Sequence, residues 1–430
     1  MEDKKKQLHD IPTVSRLLPD GSNIELIYKP DEFKTLFAVY KNGSINFEKS
    51  IDVNGERLIP ISPSNNLLKH KVVLLPEHPE SYASVEGLLQ EIQEYLYRYI
   101  DLSDEFFRIA SCYILLTWVY DAFNELPYLR LRGDYGSGKT RALIVIGSVC
   151  YKGFFASGAS TVSPIFHILD TFRGTLIFDE ADFRFSDTTA ELVKIFNNGN
   201  VRGFPVLRTA ITQKREFDPR AFMVYGPKIV AMRNSFSDQA LESRFITEEM
   251  GQRSLRKDIP INLPEKQKEE AQILRNKLLM YRFQTLEHVR VNKTLVNPEL
   301  SPRLNQILVP LLSIIEDETL RKEIRDAAHG LEKELRAEKS SSPEGELLGL
   351  LVEIINDSAR VYIPLSEITS LFIERHGANY DRPITNRYIG HLLRKKLHLF
   401  TYKRHGVFVL SIAEKDKILV LAERYSYGAS

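Results

Sequence analysis

The chain has 430 residues, 43% hydrophobic and 27% charged, with a formal net charge of +1. This composition suits a soluble globular protein of about three domains and excludes a uniformly basic nucleic-acid coat, so any nucleic-acid contact must rest on local patches. Two cysteines, Cys112 and Cys150, make neither a disulfide framework nor a metal site, and the apolar run Ile109 to Val119 is too short to span a bilayer. The charged start Met1 to Lys6 has no apolar stretch behind it, so a cytoplasmic protein without a signal peptide or membrane contact is expected.

Residues 1–80 read as a small β-rich accessory domain. Ile24 to Tyr28 and Thr35 to Tyr40 are strand-like, and the turn Lys41-Asn42-Gly43-Ser44 follows the second. From Ser84 the pattern becomes helical. Ser84 opens an amphipathic stretch to about Tyr99, and Ser103-Asp104-Glu105 opens another through Phe123.

The central segment, 81–250, carries the chemistry. Gly133-Asp134-Tyr135-Gly136-Ser137-Gly138-Lys139-Thr140 matches the phosphate-binding loop G-x-x-x-x-G-K-[ST]. The strand-like Pro127 to Arg132 precedes it and the helical Arg141 to Gly147 follows. Strand, glycine loop and helix is the order that aims backbone N–H groups and a helix N-terminus at phosphates. The expected ligand is ATP with Mg²⁺, Lys139 reaching the β/γ-phosphates and Thr140 holding the metal. About forty residues on, Thr175 to Phe178 is an apolar strand ending in Asp179-Glu180. Asp179 is placed to position Mg²⁺ and Glu180 to polarise the attacking water.

Leu192 to Phe196 reads as helix. Phe204 to Arg208 and Ala221 to Tyr225 read as the two strands of a hairpin whose basic tip includes Lys214 and Arg215. Lys228 to Met232 is a further strand, ending in Arg233-Asn234, and Leu241-Glu242-Ser243-Arg244-Phe245 comes soon after. Residues 251–340 read as a helical lid, in which Arg303 opens a helix after Ser301-Pro302. Glu338 to Gly345 reads as a linker. Residues 343–430 then suggest a winged helix: helices over Glu346–Ile355, Leu365–Arg375 and Ile384–Leu397, followed by a hairpin around Lys403-Arg404-His405-Gly406. Arg387 near the start of the third helix, Arg394 and Lys395 at its end, and Lys403 and Arg404 on the wing are candidate DNA contacts.

The series of phosphate loop, Asp-Glu strand, polar strand end and Ser-Arg-Phe resembles the AAA+ ATPases over residues 84–335. That resemblance implies an α/β fold with a parallel sheet and helical lid. It also implies that Arg233 or Asn234 senses the γ-phosphate, that Arg244 is an arginine finger serving a neighbouring subunit, and that Arg303 is a second sensor. The inserted hairpin resembles that of superfamily 3 and minichromosome-maintenance helicases, where it points into a central pore, and the whole layout resembles replication ATPases of phages and mobile elements. The expectation is a ring-forming DNA helicase, a homo-hexamer acting on single-stranded or forked DNA with a separate primase or polymerase partner. Two alternatives stand beside it: a loader, initiator or transposition switch that acts on DNA without unwinding, and an ATP-gated DNA-bound scaffold or transcriptional regulator.

Overall fold

The computed structural model describes residues 9–179, 187–211, 217–236, 238–356 and 360–425. Seven short strands open it: β1 (His9–Thr13), β2 (Ser15–Leu17), β3 (Asn23–Lys29), β4 (Lys34–Lys41), β5 (Ser44–Glu48), β6 (Ile51–Val53) and β7 (Glu56–Pro60). They form two sheets, ordered β2-β3-β4-β5 and β1-β7-β6, packed over Leu18, Ile24, Phe37 and Leu58. The β4–β5 turn is the one the sequence predicts. Asn42 (φ +48°) and Gly43 (φ +80°) both take the left-handed conformation that a two-residue hairpin turn needs.

After a single turn of helix, α1 (Asn66–Lys69), two long helices begin at serine caps. In α2 (Val85–Tyr99) the Ser84 hydroxyl accepts from Gly87 N, and Leu88, Ile92, Tyr95, Leu96 and Tyr99 share the buried face. In α3 (Asp104–Trp118) Ser103 accepts from Phe106 N, and every residue from Ile109 to Trp118 is buried. The apolar run too short for a membrane is thus a core helix. Among the described residues no helix is long and apolar enough to cross a membrane.

The centre is built from β8 (Tyr128–Arg132), α4 (Lys139–Gly147), β9 (Phe154–Ser157), α5 (Val162–Phe172), β10 (Leu176–Asp179), α6 (Asp187–Gly199), β11 (Val206–Ile211), β12 (Phe217–Phe222), β13 (Lys228–Met232), α7 (Gln239–Glu242) and β14 (Phe245–Glu249). Five of these strands make one parallel sheet in the order β14-β8-β13-β10-β9. Helices cover both faces, as a parallel sheet requires. α4 packs on one face, while Ile165, Phe166, Leu192 and Phe196 of α5 and α6 bury Tyr128, Phe178 and Val230 on the other.

The hairpin pairs differently from the sequence expectation. Val206 faces Phe222 and Ile211 faces Phe217, so the strands lie closer to the tip than 204–208 and 221–225. Pro219 is tolerated in β12 because a two-stranded ribbon has only edge strands.

Three helices follow, α8 (Glu265–Thr285), α9 (Pro302–Ser313) and α10 (Glu318–Ser340). The chain divides into two compact units, Met1–Ala328 and His329–Ser430, and the division falls within α10. The stretch 338–345 is therefore not an open linker. Only Ser341 and Ser342 interrupt helix, because Pro343 starts α11 (Pro343–Asn356) and the Ser342 hydroxyl caps it by accepting from Gly345 N at 3.1 Å. The second unit continues with β15 (Tyr362–Pro364), α12 (Leu365–His376), α13 (Asn386–His391), β16 (Thr401–Arg404), β17 (Val407–Ser411) and α14 (Lys415–Arg424), its sheet ordered β15-β17-β16. The helix expected over 384–397 stays α-helical only to His391. Residues Leu392–Lys396 form a wider π turn, in which Leu397 N donates to Leu392 O at 2.9 Å.

Inside the first unit, a buried carboxylate joins three segments. Glu25 of β3, 1% exposed, accepts from Arg282 Nε of α8 (2.6 Å), Tyr151 Oη (2.8 Å) and Lys152 Nζ (3.0 Å) just ahead of β9. Arg282 also forks onto Asp121 at 2.8 and 2.7 Å. Replacement of Glu25 by Ala leaves two buried cations short of a partner and is expected to cost about 3–5 kcal/mol in urea unfolding. A loss under about 1 kcal/mol would show the network to be dispensable.

Candidate active site

β8 delivers the glycine loop and α4 carries the chain away from it. Tyr128 to Leu131 are buried on both faces, Arg130 included; its guanidinium donates to Glu242 at 2.6 Å and to Thr247 Oγ1 at 3.0 Å. At the strand end Arg132 binds Glu249 of β14 at 2.6 Å. The loop then passes so close to β14 that a Cβ on Gly133 would stand 2.6 Å from the Met250 carbonyl oxygen and 2.9 Å from Ser137 Oγ. Gly138, at φ +89°, turns the chain into α4 from the left-handed region. The N–H groups of the first α4 turn have no intrahelical acceptor and add to the positive end of the helix dipole, a combination that favours an anion.

Lys139 Nζ donates to the carbonyls of Gly133 (2.6 Å) and Asp134 (2.7 Å), so its charge sits in the mouth of the loop. Thr140 Oγ1 donates to Asp179 Oδ2 at 2.7 Å. Sheet order accounts for this meeting. β13 lies between β8 and β10, so the ends of all three strands face the same side, and Arg233 follows β13 between the loop and Asp179. The result is a cleft of ≈ 390 Å³ at the carboxyl edge of the sheet, where open parallel sheets bind ligands. Tyr135 to Arg141, Asp179, Ala231, Met232 and Arg233 line it. A hydroxyl and a carboxylate this close are oxygen donors that suit Mg²⁺, which takes few protein ligands and keeps water.

Not every expected residue joins this cleft. Asn234 is exposed and outside the lining, whereas Arg233 is part of it. Tyr135 is 90% exposed. Arg141 lines the cleft, but its guanidinium is held by the carbonyls of Pro260 and Ile261. Glu180, Lys214 and Arg215 lie outside the described residues.

Arg244 and Arg303 stand at the other edge of the sheet. Arg244 immediately precedes β14, and its carbonyl accepts from Tyr128 N, the first residue of β8. Its guanidinium donates to Phe196 O (3.2 Å) and Asn197 Oδ1 (2.6 Å). Arg303, at the start of α9, lies within electrostatic reach of Arg244, and α9 packs against α3. Burial first, and then the charge of Arg244, hold it below the ordinary guanidinium range.

In the second unit Arg394 and Lys403 flank the exposed ring of Phe408 at 5.2 and 5.3 Å, and Arg404 lies over Tyr362 at 4.3 Å. Arg387 is exposed in the first turn of α13, and Lys395 is exposed in the π turn. The structure thus gathers Arg394 and Lys403 around one aromatic side chain.

Sequence reasoning missed Met250, Pro260 and Ile261, which contribute backbone carbonyls, and Met232. A backbone contact leaves no side-chain signature, so no motif could have marked them.

No family model matches the chain, and no curated protein matches it. Several solved structures are similar over most of its length. The SCCmec type IV Cch active helicase has 12% identity and a TM-score of 0.40, over 96% of this chain and 80% of that one. The C-terminal region of NrS-1 has 10% identity and a TM-score of 0.37, over 90% and 96%. Cdc6p from Pyrobaculum aerophilum has 12% identity and a TM-score of 0.22, over 78% and 98%.

Gly133→Ala is expected to destabilise the protein by about 1–3 kcal/mol in thermal unfolding, since the added methyl meets backbone. An unchanged melting temperature would mean that β14 yields.

Proposed function

We propose that the chain is an ATP-dependent DNA helicase or translocase of the AAA+ type, working as a ring, most closely of the kind that replicates phage or mobile-element DNA. The observation that carries the reading is the cleft in which Lys139, the Thr140–Asp179 pair and Arg233 meet at one sheet edge. A binding module needs the loop; a hydrolase also needs a carboxylate beside it.

In this reading the loop N–H groups and Lys139 hold the β- and γ-phosphates. Mg²⁺ between Thr140 and Asp179 would neutralise charge on the phosphate oxygens. Glu180, next along the chain, orients the attacking water, and Arg233 senses the γ-phosphate. The place of Arg244 at the opposite edge of the sheet supports its role as an arginine finger for a neighbouring subunit, and Arg303 is offered as a second sensor. A guanidinium suits that task because it stays charged and its fork fits phosphate oxygens. The hairpin tip with Lys214 and Arg215 grips the strand, and residues 343–430 act as a winged helix whose Arg387, Arg394, Lys395, Lys403 and Arg404 hold DNA. A shared site requires an oligomer, for which a homo-hexamer is the proposed form, and priming falls to another protein.

The deciding experiment is ATP-dependent strand displacement on a forked duplex, with Lys139→Ala as control. Wild type is expected to displace the strand and the variant not. DNA-stimulated hydrolysis without displacement would turn the reading to a loader or switch; neither activity would turn it to a scaffold. Arg244→Ala should keep ATP binding and lose on the order of 10³-fold in turnover. Rings mixed from Arg244→Ala and Glu180→Gln subunits should regain turnover, because some interfaces then hold both groups. No recovery would count against a shared site.

A further inference from the structure

A second and larger cleft, of ≈ 950 Å³, opens at the sheet edge opposite the glycine loop. Its place follows from the parallel sheet, whose strands are all entered from one side. Tyr120, Tyr151, Arg173 and Tyr225 of its lining come shortly before β8, β9, β10 and β13. The N-terminal strands close it with Arg16 and Asn23, α8 with Arg282, and the segment after α8 with Arg290. The volume is near the top of the about 300–1,000 Å³ typical of ligand sites.

The charge of this lining is one-sided. Arg173, Arg202 and Arg290 are exposed, and among the described residues none has a carboxylate partner. Among the described residues Arg16 has only an exposed pair with Glu56 at 3.3 Å. The acids of the lining are Glu287 and Asp121, and both oxygens of Asp121 are taken by Arg282. In a chain of net charge +1 this is a local concentration of cations. Aromatic surface accompanies it: Arg202 lies over the Tyr225 ring at 5.4 Å.

A separate observation points to a ligand. Asn23 lines the cleft, is 2% exposed, and among the described residues its amide Nδ2 has no hydrogen-bond acceptor. A buried donor left unpaired is destabilising, and an acceptor oxygen brought into the cleft would satisfy it.

We infer that this cleft binds a single DNA strand, its phosphates on Arg173 and Arg290 and a base against the Arg202–Tyr225 pair. The inference rests on the reading that the chain works on DNA, and it adds a contact outside both the hairpin and residues 329–430. A strand fits better than a free nucleotide because the arginines come from three separate segments around the cleft, matching an anion that repeats along its length.

The test is fluorescence anisotropy of a labelled oligo-dT strand with the full chain, comparing wild type with the double variant Arg173→Gln/Arg290→Gln. Both side chains are exposed and outside the ATP cleft, so turnover without DNA should stay at the wild-type level. Affinity should fall by about tenfold, and the slope of log K against log salt should shrink by about 1.4, near 0.7 per lost phosphate contact. Wild-type affinity and slope in the variant, with DNA still stimulating ATP turnover, would overturn the cleft and leave the motor standing. A wild-type chain that binds no strand would overturn both. Loss of dTMP binding with strand binding intact would assign the cleft to a free nucleotide and overturn the strand.

Discussion

Glu25 is the group on which the first unit depends. A carboxylate at 1% exposure is stable there only because an arginine, a lysine and a tyrosine hydroxyl converge on it. Those donors come from α8 and from the two residues that lead to β9, while Glu25 itself belongs to the N-terminal sheet. The network therefore sets three separately folded segments in register. Its charges also act on each other. Burial draws the Lys152 ammonium down to about 8 against the pull of Glu25, whereas Arg282, although buried too, is held well above its ordinary value chiefly by Asp121. From this anchor β9 runs beside β10, pairing Phe154 with Leu176 and Ser157 with Asp179. The buried ions at the near edge thus stand one strand away from the β10 that carries Asp179.

The parallel sheet then separates two chemistries by direction alone. Every strand leaves at the edge that holds Lys139, Thr140, Asp179 and Arg233, and every strand is entered at the edge that holds Arg244 and the basic cleft. A single sheet thus keeps the Lys139–Asp179 cleft apart from Arg244 and the basic cleft. Burial on both faces demands internal partners for the polar residues inside the sheet. Arg130 finds Glu242, and Lys228, fully buried, donates to the carbonyls of Val224 and Gly226 at 2.9 Å.

The second unit works by different means. Its core is ordinary, with Leu347, Leu351, Ile368, Phe372 and Leu393 among its buried residues, and Arg394, Lys403 and Arg404 are carried on aromatic rings. A ring beneath a guanidinium or ammonium limits the conformations of a long side chain without neutralising it, which leaves the charge available to an anion.

The sequence by itself determined what is local. The glycine loop, the carboxylate at the end of an apolar strand, the serine caps of α2 and α3 and the Asn-Gly turn were all legible, because each depends on residues a few positions apart. Strands β9 and β14 were not, since FFAS is short and FITEE ends in two acids whose partners, Ser103 for Glu248 and Arg132 for Glu249, lie over a hundred residues away. Tertiary structure alone decided that Arg303 lies within electrostatic reach of Arg244, that the expected linker is nearly all helix, that the hairpin pairs nearer its tip, and that Asn23 lines a basic cleft. In each case the outcome turns on which distant segment packs alongside. That is settled by burial and charge pairing across the whole fold, and no short pattern of residues records it.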